Sequence, residues 1–223
     1  MDTITVITGL VKDVYINDLI ESYKDIRNKL LSTWKDTNSE VLHKFEQNGF
    51  LIVVSERPIL DNSVNYQTVL AQNGILKARE LGFQYVCRSR TDVFPQNHLV
   101  FLEKTRELYK ENITVLCGVE LFHIHYFLDI IVCGKIENML LFFCGVKQKG
   151  DTNPERFWLD NYAKEPIHTK EDVKRHLNFA NKICKENNIE IIWYRPYDCI
   201  SFPRTIPYTK VISEYCNAYF VFE

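Results

Sequence analysis

Residues Gln84–Asp92 read QYVCRSRTD, an apolar segment that closes with three charges among its last five residues. Gln84 to Ser89 has the length and composition of a strand. A buried strand does not ordinarily finish in this way unless its charges meet a ligand or one another. Arg88 and Arg90, at alternate positions, share one face of an extended segment, and Asp92 follows two residues on. Upstream, Tyr66, Val69, Leu70, Leu76 and Leu81 line one side of a helix that stops at Gly82. Before it, Phe50–Ser55 (FLIVVS) is the near-continuous apolar run expected of a strand covered on both faces. Asn38 or Ser39 can cap a helix carrying Val41, Leu42 and Phe45, ended by Asn48-Gly49. Leu30–Thr33 is a short strand candidate, preceded by a helical stripe of Ile16, Leu19, Ile20, Tyr23, Ile26 and Leu30. Thr3–Thr8 (TITVIT) is a β-branched run of strand length. Strands alternating with helices predict an α/β fold, a mostly parallel central sheet flanked by helices in one Rossmann-like domain.

Downstream the order is less regular. Ile113–Gly118 and Tyr126–Gly134 read as strands, Glu137–Phe143 as a helix, Lys170–Asn188 as a charged surface helix and Ile189–Tyr194 as a late strand. Arg195–Pro207 holds three prolines and is expected to be irregular. No linker or internal repeat divides the 223 residues, so 1–223 is read as one domain.

The composition is that of a soluble globular chain: 46% hydrophobic, 25% charged, formal net charge -2. This charge argues against nucleic acid as the main partner, because phosphate binding relies on a basic surplus. With no basic residue before Lys12, no secretory signal is visible. An uncharged apolar-leaning stretch such as Asn138–Val146 is far below the roughly 20 residues of a membrane span. Seven cysteines without a C-x-x-C pair argue against a disulfide framework or a zinc ribbon and fit a reducing cytoplasm.

Open parallel sheets bind ligands outside the carboxyl ends of their strands. Those ends are Thr8-Gly9, Ser32-Thr33-Trp34, Ser55-Glu56-Arg57 and Arg88-Ser89-Arg90-Thr91-Asp92. An indole can stack on a base, hydroxyls and backbone N–H groups can hold ribose and phosphate, and arginine grips phosphate with two bonds at once. Ser and Thr also end strands and cap helices, so a nucleotide-type pocket and plain strand punctuation both stand at this point. Asp92 could hold a divalent cation bridging two phosphates, or close the strand through an internal ion pair with arginine. Asn65 could cap the helix that follows, with Gln67 solvated. The phosphate-cradling glycines of P-loop and dinucleotide-binding sites are lacking, because neither G-x-x-x-x-G-K-[ST] nor G-x-G-x-x-G occurs.

Thr8-Gly9, Leu31-Ser32-Thr33-Trp34, Asn65-Tyr66-Gln67 opening a helix that ends at Leu81-Gly82, and Tyr85 through Arg90-Thr91-Asp92 occur in this order over residues 3–146. With Phe127-Leu128-Asp129 through Gly134, the set resembles the WavE-type lipopolysaccharide-synthesis family of glycosyltransferases, found in bacteria and large DNA viruses. The resemblance implies a GT-A-like fold that binds a nucleotide-diphosphate sugar and transfers the sugar to a glycan or other hydroxyl acceptor. It implies donor binding by Thr8, Gly9, Ser32, Trp34, Asn65, Gln67, Arg88, Arg90 and Asp92, within residues 1–118, with residues 119–223 on the acceptor side. It further implies a manganese or magnesium ion held by an Asp-x-Asp element; here Arg90 stands where the first aspartate belongs, so either Asp92 alone holds the ion with water and diphosphate, or Arg88 and Arg90 replace part of its role.

Glycosyl transfer also needs a base for the acceptor hydroxyl in an inverting enzyme. Asp129, a lone carboxylate in the apolar run YFLDIIVCG, is one candidate for that base, and a structurally paired acid is the other reading. Glu155, opening the aromatic segment ERFWLDNY, is a second candidate, equally suited to the first turn of a helix. His123 and His125 share one face of an extended segment but lack an obvious third metal ligand. A non-catalytic nucleotide- or sugar-binding module on the same scaffold is the alternative reading.

Overall fold

The computed structural model describes residues 2–60, 62–95, 98–111, 114–115, 131–147, 154, 157–158, 190–193 and 204–207. Its centre is β1 (Thr3–Thr8), every residue of which is buried. β1 lies parallel to β2 (Lys29–Trp34) on one side and to β4 (Tyr85–Arg90) on the other, and β3 (Leu51–Ser55) lies parallel to β2 at the edge. Beyond β4, β7 (Val132–Lys135) runs antiparallel, and β6 (Thr114–Val115) runs antiparallel to β7. The sheet order is therefore β3-β2-β1-β4-β7-β6, with one strand reversed. A second, antiparallel sheet joins β5 (Val93–Pro95), β8 (Glu190–Trp193) and β9 (Arg204–Pro207). The chain is thus α/β with a mostly parallel central sheet between helices.

Alternation along β1 and β4 divides the core in two. On one face Ile7, Cys87 and Cys133 pack with α1 (Ile16–Ser22), α2 (Ser39–Gln47) and α4 (His98–Glu111) through Leu19, Phe45, Leu102 and Tyr109. On the other, Ile4, Val6, Leu30, Val86 and Val132 pack with α3 (Ser63–Glu80), α5 (Ile136–Phe142) and Trp158. Gly74 of α3 is needed here, since a methyl at its Cα would lie 2.5 Å from Val6 Cγ1. Among the described residues no helix is long and apolar enough to cross a membrane.

The differences from the expected elements have physical causes. The stripe from Ile16 to Leu30 covers more than one element. α1 stops at Ser22, Tyr23 and Ile26 pack from the turn, and Leu30 belongs to β2 on the opposite face. β3 is an edge strand and not one covered on both faces; Leu51 and Val54 are 46% and 45% exposed. α3 buries Val64, Asn65, Thr68, Leu70, Ala71, Gly74, Ile75 and Ala78, whereas Leu81 is exposed. Small and polar residues thus carry close helix–sheet contact, which a count of large apolar residues overlooks. Asn62 and not Asn65 caps α3, accepting from the Asn65 N–H at 2.9 Å. Residues 204–207, expected to be irregular, pair with β8, their proline standing at the strand terminus. The short strand β5 and the helix α4 were not expected at all. The charged helix expected over 170–188 lies outside the described residues.

Candidate functional site

The chain proceeds from β1 outward to β2 and β3, then returns across α3 to place β4 on the other side of β1. The strand order reverses between β1 and β4, and the crevice of an open α/β sheet lies outside the carboxyl ends of such a pair. Those ends carry Thr8-Gly9-Leu10 and Arg90-Thr91-Asp92, with Thr8 and Arg90 in direct register.

Much of the polar equipment at this rim ties the protein to itself. The Thr8 hydroxyl donates to Ser89 O at 3.1 Å and accepts from Arg88 Nε at 2.9 Å, so both its roles are filled. The Gly9 N–H donates to Ser32 O, and its carbonyl accepts from the Thr33 hydroxyl. Gly9 has φ +143, and a Cβ there would lie 2.3 Å from Thr91 Oγ1. It is glycine because Thr91 presses on it while binding Thr8 O and Leu10 O. Ser32 donates to Leu70 O at 2.7 Å, fixing α3 to the sheet. Asn65 binds backbone through its amide, donating to Leu60 O and Lys147 O and accepting from the Lys147 N–H at 2.8 Å. It fastens the segment after α5 to the start of α3.

Arg88 is 1% exposed. Its guanidinium donates to Thr8 Oγ1 and to Gln67 Oε1, and its Cζ lies 5.3 Å from the Phe143 ring and 6.0 Å from that of Trp158. Aromatic faces and neutral acceptors are suitable company for a weakly hydrated guanidinium. Trp158 is itself held by a bond from Nε1 to Thr68 Oγ1. Gln67 is thereby a partner of Arg88 and not merely a solvated side chain.

Arg90 and Asp92 form the internal pair that the strand ending also allowed. Nε donates to Oδ1 and Nη2 to Oδ2, each at 2.8 Å, while about a fifth of each side chain meets solvent. Both carboxylate oxygens that a cation would take already face a guanidinium. No group of three or more His, Cys, Asp or Glu side chains comes together for a metal among the described residues. The Asp-x-Asp cation implied by the resemblance does not fit this arrangement, because one acid is replaced by a cation and the other is held by it.

Trp34, at the end of β2, is only 3% exposed. Its ring meets Tyr66 edge-on at 5.3 Å, and Arg57 lies 5.2 Å from the ring centre of Trp34 and 5.8 Å from that of Tyr66. Arg57 in turn holds Asp36 at 3.0 Å and is 43% exposed. A guanidinium therefore lies over the indole on which a base was expected to stack.

On the other face of β4 a second polar cluster is buried. Tyr23 Oη is 2.6 Å from Ser89 Oγ and donates to Val93 O, and its ring meets His98 edge-on. Burial drives the Tyr23 phenol above its ordinary pKa, outweighing the Ser89 bond. Cys87 Sγ lies 3.9 Å from His98 Nε2 and stands in register with Cys133. Burial pushes this thiol up, but its bonds to Cys133 and His98 together with the imidazole charge prevail and bring it down to about 6.

Sequence reasoning placed Arg57 at a strand end but not over Trp34, and it missed Tyr23 and His98 as polar partners of β4, which they meet only through folding. Asp129, Glu155, His123 and His125 lie outside the described residues. No protein-family model matches the chain, and no curated protein matches it.

Proposed function

We propose that this protein is a GT-A-like glycosyltransferase that takes a nucleotide-diphosphate sugar at the carboxyl ends of β1 and β4 and passes the sugar to a glycan or other hydroxyl acceptor. The reading rests chiefly on the strand reversal between β1 and β4, which aligns Thr8 with Arg90 and puts a partly open arginine–aspartate pair at the crevice. The ordered resemblance over residues 3–146 to the WavE-type family supports it.

Chemically, the bond from the anomeric carbon to the diphosphate oxygen breaks and a bond to the acceptor oxygen forms. The acceptor proton passes to a carboxylate, with Asp129 the proposed base and Glu155 the second candidate. The nucleoside diphosphate departs with negative charge that the rim must stabilise. Arg90 is the partly exposed cation at that rim; Arg88, sealed among Phe143 and Trp158, holds β4 to α3.

The engagement of Thr8, Gly9, Ser32 and Asn65 within the protein favours a second reading, a module that binds without transfer. Incubation with panels of UDP- and GDP-sugars and mixed oligosaccharides, followed by mass spectrometry, separates the two. Release of nucleoside diphosphate with an acceptor heavier by one sugar residue is expected. Saturable binding without donor hydrolysis or transfer would establish the module, and failure to bind any nucleotide sugar would refute both.

A further inference from the structure

We propose that donor binding by this protein needs no divalent cation, because Arg90, held by Asp92, supplies the positive charge that meets the diphosphate. The inference rests on the nucleotide-sugar reading above. It differs from the Asp-x-Asp expectation in what faces the phosphates.

Arg90 is in register with Thr8, so it stands at the point where the strand order reverses. One edge of its guanidinium is fixed by two 2.8 Å bonds to Asp92, which hold the group in one orientation. An arginine already ordered by a carboxylate loses less rotamer freedom on binding an anion than a disordered side chain would. About a fifth of its side chain meets solvent, which places Arg90 at the rim and not in the core with Arg88.

A cation at Asp92 would have to displace this two-bond contact and then sit beside the displaced positive charge. The residue two before Asp92, where a second carboxylate would share the ion, is Arg90 itself. Asp92 is accordingly a positioning residue. It aims Arg90 and keeps it at the rim, away from Gln67 of α3, which holds Arg88.

Calorimetric titration with UDP, GDP, ADP and dTDP, in EDTA and again in manganese, tests this. The preferred nucleotide should bind wild-type protein with a Kd that manganese changes by no more than about twofold, a difference of under 1 kcal/mol. Arg90→Gln should raise that Kd about tenfold or more, and Arg90→Lys should restore only part of it, lacking the planar fork. Asp92→Asn should raise it about threefold, equally in both buffers, as loss of orientation and not of a metal ligand would. Melting temperatures of the three variants confirm that each is folded.

Binding that appears only with manganese and is abolished by Asp92→Asn would overturn the inference and leave the nucleotide-sugar reading standing. Arg90→Gln binding as tightly as wild type in EDTA would also overturn it. Absence of affinity for all four nucleotides in both buffers would overturn the nucleotide-sugar reading and the inference together.

Discussion

Arg88 and Arg90 sit two residues apart on one strand, yet they live in different media. Arg88 is sunk against α3 and α5, its charge met by a hydroxyl, an amide oxygen and two aromatic faces. Arg90 reaches the rim and finds a carboxylate in water-accessible surroundings. The difference shows that a cation's position along a strand decides its role. Two residues from the end it must be satisfied by the core, and at the end it can serve the solvent or a ligand.

The largest effect should come from breaking the buried member. Arg88→Leu leaves Thr8 and Gln67 without their donor and should cost about 3 kcal/mol or more. At roughly 2–4 °C per kcal/mol for a domain of this size, calorimetry should show a melting temperature lower by about 6–12 °C. A fall no larger than that of Arg90→Leu would erase the distinction between the two arginines.

Between them Ser89 points to the opposite face, where Tyr23 binds it. Tyr23→Phe should lose about 1–2 kcal/mol in denaturant titration near neutral pH. It should also change the alkaline behaviour. A group whose folded pKa is raised contributes stability that is fully present below the unfolded value and lost as pH climbs through the folded one. Tyr23 and Tyr109, both raised chiefly by burial, should therefore make wild-type stability decline above about pH 10, by at most about 1.4 kcal/mol per pH unit for each. The Tyr23→Phe variant should decline less steeply, and parallel curves would remove Tyr23 from this role.

The smallest effect belongs to the rim. Asp92→Asn should shift stability by about 1 kcal/mol, since the amide oxygen can still accept from Arg90 and one of the two bonds is lost. A loss approaching that of Arg88→Leu, read in the same calorimeter, would make the pair a structural strut and not a feature of the rim.

Legibility in the sequence followed the same division. TITVIT and the closing segment at Gln84 announced β1 and β4 because their β-branched and apolar residues are buried on both faces. FLIVVS looked just as buried, but hydropathy reports a strand's tendency to be covered and not whether a neighbour lies beyond it; β3 has none on its outer side in the described sheet. The site was legible as a set of strand ends and not as a set of partnerships. Thr8, Ser32 and Asn65 have the chemistry to hold a ligand, and the same chemistry serves equally to accept a neighbouring N–H or donate to a carbonyl.

What the sequence by itself determined is the alternation of strands and helices, and with it the presence of two arginines and an aspartate at the end of β4, because period and composition are local properties. The fold alone decided that Arg88 meets Gln67 and Thr8, that Arg57 covers Trp34, and that Arg90 closes on Asp92 in reach of β1. Those pairings depend on which strands lie side by side, and sheet order is set by packing between segments more than 80 residues apart.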